Sequence, residues 1–265
     1  MGDQVITESG VPTMNVDNKL SNKSLLFGLI AENAQTNRLF VILNRIIKAQ
    51  RADAMIIPMN IRPDDFYFTV FNLKKSHVNG AYIGQEYSEE VLDVLDIKST
   101  LVTKSAGCDF VLREGDQLSG HYHLPECVAS FCRRKSFYKI AIVGANALSR
   151  ALALTLNKQD VHFYHPEIES IMKNAQTLEM DIDINRIDET LNVDLSGYDL
   201  VINTMDETLF AQTHFSPNFL ELGEDASYQV ATKAICEQNG VQNYYGFEDL
   251  LEEIAQTIFN NYIKV

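Results

Sequence analysis

The chain has 265 residues, of which 46% are hydrophobic and 22% charged, the balance of a soluble globular protein long enough for two domains. Its formal net charge of −14 argues against a nucleic-acid partner, because neutralising phosphates needs clustered Lys and Arg. No apolar run approaches the ~20 residues that span a bilayer and no apolar segment follows a basic start, so we expect a cytoplasmic protein with no membrane partner. The cysteines Cys108, Cys127, Cys132 and Cys236 lack paired spacing, which suits reduced thiols packed as small core residues.

Residues 1–22 are polar and rich in Gly, Pro, Asn and Ser, and read as a disordered leader. From Ser24 short apolar runs alternate with amphipathic stretches. Leu25 to Ile30 predicts a strand, Arg38 to Ala49 a helix, and Ala54 to Met59 a strand. Asp64 to Lys75 follows as a helix, His77 to Ile83 as a strand, Glu89 to Leu95 as a helix, and Cys108 to Arg113 as a strand. Glu114-Gly-Asp-Gln117 predicts a hairpin turn that returns through Leu118 to Tyr122. A helix from Pro125 to Arg134 ends in Arg133-Arg134-Lys135, a basic cluster expected to be a solvated helix C-terminus.

Near residue 136 a second unit begins. Lys139 to Val143 is a buried-type strand, Gly144 a tight turn, and Ala147 to Leu156 a run of good helix formers. The same alternation continues through strands at Val161–Tyr164, Leu200–Asn203, Phe219–Leu222 and Asn243–Tyr245, with helices between them. A final helix from Glu248 to Ile263 carries apolar residues at 250, 251, 254, 258, 259 and 262, a stripe for one partner surface. Alternation of this kind makes an α/β protein with mostly parallel sheets. The expected divisions are 1–22, 23–136, 137–246 and the closing helix 247–265.

Four segments together resemble the shikimate dehydrogenase family. Asn79-Gly-Ala-Tyr-Ile-Gly-Gln85-Glu86 with Leu92-Asp-Val-Leu-Asp96 is similar to its N-V-T-x-P-x-K-E segment and the Leu-Asp ending. Ala106-Gly-Cys-Asp109 and the hairpin after it resemble the G-A-V-N-T strand, and Ile142-Val-Gly144 to Arg150 resembles the nucleotide turn ending in Ser-Arg. Tyr198-Asp-Leu-Val-Ile-Asn-Thr204 resembles the D-L-V-I-N-A-T strand, and Glu237-Gln-Asn-Gly240 through Gly246 the approach to the closing helix. The resemblance implies a small substrate-binding α/β domain, then a Rossmann domain for NADP or NAD, then a last helix that packs back on the first domain. It also implies a small-molecule ligand and a link to aromatic amino acid biosynthesis.

The chemistry departs from that pattern. The family's proton-transferring lysine falls at Gln85 and its aspartate at Leu124, and neither replacement can move a proton. The serines expected on a substrate carboxylate fall at Ala34 and Thr36, beside the repelling Glu32, and the substrate-binding glutamine falls at Glu253. Asn79 and Asp109 stand at further substrate positions. On the cofactor side the resemblance assigns Gly144, Ala145, Asn146, Ala147, Ser149 and Arg150 to the phosphate turn, and Thr204 to the next strand end. His165, in Tyr164-His-Pro166, stands where the family's Arg meets the 2′-phosphate. The stretch Thr204-Met-Asp-Glu-Thr-Leu209 brings Asp206 and Glu207 to a dinucleotide's path.

Two readings of function follow. One is a ligand-binding or repurposed protein without the Lys/Asp mechanism, in which Gln85 either hydrogen-bonds a ligand or is a structural polar residue. The other is an active NADP- or NAD-linked oxidoreductase on a small ring hydroxy compound, with His121 or His123 as substitute acid or base and Tyr82 or Tyr122 as helper. A zinc site built from His121, His123, Cys127 and Cys132 is disfavoured by the five-residue cysteine spacing, and no metal is expected. A third class, an interaction protein, would fill its cleft with side chains such as Tyr82 and Phe110.

Overall fold

A computed structural model of the chain describes residues 24–187, 193–206, 213–223 and 226–264. The expected leader, 1–22, and Glu207 lie outside the described residues.

The strands β1 (Leu25–Ala31), β2 (Ala54–Asn60), β3 (Gly80–Ile83), β4 (Ile97–Lys98), β5 (Phe110–Glu114) and β6 (Gln117–His121) form one sheet in the order β2-β1-β3-β5-β6-β4. β1 pairs in parallel with β2 and β3, as the apolar runs predict, and β5 and β6 form the expected antiparallel hairpin. α1 (Leu39–Ala49) buries Leu39, Leu43 and Ile47, one stripe at four-residue spacing. α2 (Pro63–Asn72) crosses from β2 to β3. The helix expected over Glu89–Leu95 is instead a 3₁₀ turn at Glu90–Val94, which buries Val91 and Val94 and follows another at Gln85–Tyr87, which buries Tyr87. A short helix, α3 (Thr100–Ser105), follows with Ser99 as its cap, and α4 (Leu124–Lys135) completes the first domain. The basic cluster at the end of α4 is exposed, and Arg134 pairs with Glu253.

The second sheet contains β7 (Lys139–Val143), β8 (Asp160–His165), β9 (Asp183–Arg186), β11 (Leu200–Asn203), β13 (Asn218–Glu221) and β14 (Asn243–Gly246). A separate parallel pair joins β10 (Val193–Asp194) to β12 (Thr213–His214). The six strands are parallel in the order β14-β13-β11-β7-β8-β9, with α5 (Ala147–Thr155), α6 (Ile168–Leu178) and α7 (Ala226–Gln238) between them. The chain proceeds to one side of β7 and then to the other, so the crevice of a doubly wound sheet opens at the ends of β7 and β11. β7 is apolar because both of its faces are covered: Ile140 to Val143 are fully buried.

The closing segment returns to the first domain. It begins as a 3₁₀ turn at Phe247–Leu250, continues as α8 (Leu251–Ile258), and widens to a π turn over Phe259–Ile263. Leu250, Leu251, Ile254, Ile258 and Phe259 are buried, and the ion pairs Arg38–Glu248 (2.8 Å) and Arg45–Glu252 link the segment to α1 and the turn before it. Among the described residues no helix is long and apolar enough to cross a membrane. The four cysteines are buried free thiols, each pushed up to about 12 by burial.

Candidate functional site

The two domains face each other across a cleft of about 1070 Å³. Glu32, Asn33, Thr36 and Glu86 line it from the first domain, and Asp206, Glu221, Lys233, Tyr244 and Glu248 from the other side. Five carboxyl groups thus line it with the Lys233 ammonium, and Arg38 pairs one of them, Glu248. A narrower recess of about 270 Å³ continues it inward, between Gln85, Glu89, Glu90 and Tyr122 on one wall and Asn146, Ala147, Thr204 and Asp206 on the other. A further recess of about 350 Å³ runs past Asn146 to His165 and Ser170.

Gln85 therefore lines the recess, half-buried, where a 3₁₀ turn follows β3. Leu124 does not. It is the first residue of α4 and fully buried, with its backbone N–H on Asp109 Oδ2 at 2.7 Å. Asp109 is also sealed in the core: His123 N donates to both of its oxygens, at 2.8 and 2.9 Å. Its carboxylate thus satisfies the first N–H groups of α4 rather than a ligand. Burial pushes its carboxyl up to about 7, against the pull of those N–H donors. Of the other expected substrate residues, Thr36 lines the large cleft, and its hydroxyl donates to Asn33 O at 2.8 Å. Ala34 is fully buried, Asn79 accepts from Leu26 N at 2.9 Å and braces the sheet, and Glu253 is held by Arg134.

The histidines lie elsewhere. His121, Tyr122 and His123 border a separate cavity of about 430 Å³ with Lys104, Glu126 and Leu154, and Tyr122 forms the wall it shares with the Gln85 recess. The parallel rings of His121 and His123 have centroids 6.0 Å apart. His123 Nε2 lies 2.8 Å from the Tyr262 hydroxyl, and burial pushes its imidazole down to about 4. His121 is also lowered, first by burial and then by His123. Both rings are neutral near pH 7, and the structure brings neither to Gln85. Tyr82 is fully buried with an unpartnered hydroxyl, while Phe110 stacks on Tyr262 at 4.3 Å, so both fill the core of the first domain. No group of three or more His, Cys, Asp or Glu among the described residues is placed to hold a metal ion.

At the β7–α5 turn, Gly144 has φ +138°, and a Cβ there would stand 2.0 Å from Thr204 Oγ1. The Thr204 hydroxyl donates to Val143 O at 3.1 Å and so is held against the glycine. Asn146 caps α5 by accepting from Ser149 N at 3.0 Å, and its amide donates to Thr204 O at 2.6 Å. Ser149 is buried with its hydroxyl on Asn146 O, and Ala145 O accepts from Asn174. Arg150 reaches Ser105 O (Nε, 2.7 Å) and Asn174 Oδ1 (Nη1, 3.3 Å). His165 Nδ1 accepts from Glu167 N at 3.0 Å.

Sequence reasoning missed two residues of this site. Glu89 hydrogen-bonds Ala147 N at 3.3 Å across the recess. Glu221, at the end of β13, is buried with Asn203 Nδ2 (2.9 Å) and Gly223 N (2.8 Å) on its oxygens, and burial pushes its carboxyl up to about 7. Its place at the carboxyl end of a parallel strand was the available signal, since ligands of open α/β sheets bind there.

The shikimate dehydrogenase of Aquifex aeolicus superposes with a TM-score of 0.66 at 17% identity, over 91% of this chain and 94% of that one. The shikimate 5-dehydrogenase of Thermus thermophilus, solved with NADP(H) and shikimate, gives 0.70 at 12% identity, over 90% and 94%. The fold is that of the shikimate dehydrogenases. The 5-ketofructose reductase of a Gluconobacter strain shares it, at 0.65 and 14% identity over 92% and 95%. No family model matches the sequence, and no curated protein matches it significantly. The expected two-domain α/β architecture, with the closing helix packed back on the first domain, is therefore present.

Proposed function

We propose that this chain is a small-molecule-binding protein of oxidoreductase ancestry that works through its interdomain cleft without the lysine–aspartate proton transfer of the shikimate dehydrogenases. The observation that carries this reading is that, among the described residues, no lysine–aspartate pair meets at the recess. Gln85 stands there with an amide, Leu124 is sealed in the core, and Asp109 is engaged by backbone N–H groups. Gln85 keeps one useful property, since its amide both donates to and accepts from a ligand.

The charge of the cleft narrows the ligand class. Glu32, Glu86 and Asp206 line it beside Glu221, whose carboxyl burial raises to about 7, and Glu248, which Arg38 pairs, while Lys233 adds one positive charge. An acid such as shikimate meets repulsion there, whereas an uncharged polyol or a basic solute does not. The Gluconobacter neighbour, a reductase named for a neutral keto-sugar, is consistent with such a ligand on this fold.

The residues do not fit NADP or NAD as they now stand. Thr204 stands against Gly144, Glu89 occupies the start of α5, and among the described residues no Lys or Arg lines the recess beside His165. Nucleotide binding at this turn requires those side chains to give way.

A thermal-shift panel of neutral polyols, amines, shikimate and the four nicotinamide nucleotides tests the reading, beside an absorbance assay for shikimate oxidation with NADP⁺. A saturable rise in midpoint with a neutral or basic solute is expected, because a ligand that binds the folded state alone stabilises it by mass action. NADP⁺-dependent oxidation of shikimate would overturn the reading.

A further inference from the structure

Behind Tyr122, which forms the wall shared with the Gln85 recess, lies the cavity of about 430 Å³ at the junction of the two domains. Lys104 of α3, His121, His123 and Glu126 of α4 border it from the first domain, and Leu154 and Thr155 of α5 from the second. Lys104 and Glu126 are exposed, and neither forms an ion pair among the described residues. His123 is only 7% exposed. Its Nε2 is taken by the Tyr262 hydroxyl and its backbone N–H by Asp109, while its Nδ1 has no hydrogen-bond partner among the described residues. A buried ring with one free nitrogen thus stands in the cavity wall. His121 beside it makes only a long contact, from Nε2 to the Ser119 hydroxyl at 3.4 Å.

An ammonium and a carboxylate that border one cavity without pairing present opposite charges to whatever occupies it. Burial keeps both imidazoles uncharged near pH 7, so each ring offers a donor or an acceptor rather than a further charge. The Thr155 hydroxyl donates to Ala151 O at 3.0 Å, which leaves its lone pairs for a cationic donor. Leu101, Leu154 and the Tyr122 ring supply the apolar part of the wall. An anion alone meets repulsion from Glu126 and a cation alone from Lys104, whereas a solute with one charge of each sign is complementary to both.

We infer that this cavity is a binding site for a small zwitterion of the α-amino-acid type, with the ligand's carboxylate on Lys104, its ammonium on Glu126 and a hydrogen bond to the free nitrogen of His123. The inference does not depend on what the cleft binds, since Lys104, His123 and Glu126 all lie outside the cleft lining. An occupant touches α3 and α4 of one domain and α5 of the other, so it bridges the two.

The test is a thermal-shift screen of the full chain against the standard protein amino acids, followed by isothermal titration of the strongest binder. At least one amino acid should raise the midpoint saturably. Lys104→Met and Glu126→Gln should each weaken it about fivefold, the upper scale of a partly exposed charge pair. Leu154→Trp, which fills the cavity from α5, should abolish binding, and Lys48→Met, which removes a like charge from α1, should leave it unchanged. On the parent, the binder's analogues lacking the amino group or the carboxyl group should each bind less tightly than the amino acid itself. A screen without any shift would overturn the site, as would loss on one charge variant with the other silent. So would a binder that survives Lys104→Met, Glu126→Gln and Leu154→Trp, and if Glu86→Gln weakens that binder it occupies the cleft instead.

Discussion

Restoring the family's aspartate at position 124 should break the protein rather than repair an active site. Leu124 is fully buried, and its N–H already donates to Asp109 at 2.7 Å. Replacing a buried leucine with a shorter side chain costs about 2 kcal/mol or more in lost burial and cavity. Asp109 shows what a carboxylate costs in this place, since burial lifts it from 3.8 to about 7 even with N–H donors on it. A shift of that size is about 4 kcal/mol against the charged form. A second carboxylate beside Asp109 adds like-charge repulsion, so Leu124→Asp should lose about 5 kcal/mol at pH 8, a large part of a domain's whole stability. The introduced group has a raised folded pKa, so the native state holds a proton that the unfolded chain releases as pH rises above about 4. The deficit must then be smaller at pH 5 than at pH 8. Urea unfolding followed by circular dichroism at both pH values measures it, with Leu124→Asn as the uncharged comparison. A deficit under about 1 kcal/mol at pH 8, the scale of an ordinary surface substitution, would refute the reasoning and mean that position 124 opens to the cleft.

Glu221 carries a pH signature of its own. Its folded value of about 7 lies above the unfolded 4.5, so its contribution to stability is present at low pH and is lost as pH rises through 7. Between pH 5 and 8 the parent should lose about 2 kcal/mol more than Glu221→Gln does, and parallel urea midpoints for the two proteins would contradict this. His123 works in the opposite sense, but its folded value near 4 confines its effect to pH below its unfolded 6.5. Gly144→Ala places a methyl 2.0 Å from Thr204 Oγ1 at φ +138°, and should cost about 3 kcal/mol, combining overpacking and backbone strain. A denaturation midpoint equal to the parent's would show that Thr204 yields readily and that the turn is open to a ligand.

The frame of this protein was legible because it rests on local patterns. The apolar run Ile140 to Val143 reads as a strand covered on both faces, and the stripe from Leu250 to Phe259 reads as a helix with one partner surface. The 3₁₀ turn at Glu90–Val94 reads as helix in the sequence, because Val91 and Val94 have helical spacing over too short a span to distinguish the two. The placement of Gln85 in a cleft followed from where β3 ends. The histidines stand apart from Gln85 for a definite reason: a strand end and a helix start meet at residues 121–124, and the bend carries His121 and His123 to the Lys104 side while Tyr122 faces the recess.

By itself, then, the sequence determined most of the elements that form and that the second sheet is parallel, and it put Gln85 and Leu124 where the resemblance expects a lysine and an aspartate. Tertiary structure alone decided that Asp109 serves a helix start, that Glu221 is a buried carboxylate at a strand end, and that Glu89 reaches Ala147 across 58 residues of chain. The division has a physical cause. Burial patterns repeat with the period of a helix or strand and are written along the chain, whereas a carboxylate's partner is set by which distant backbone groups folding leaves without one.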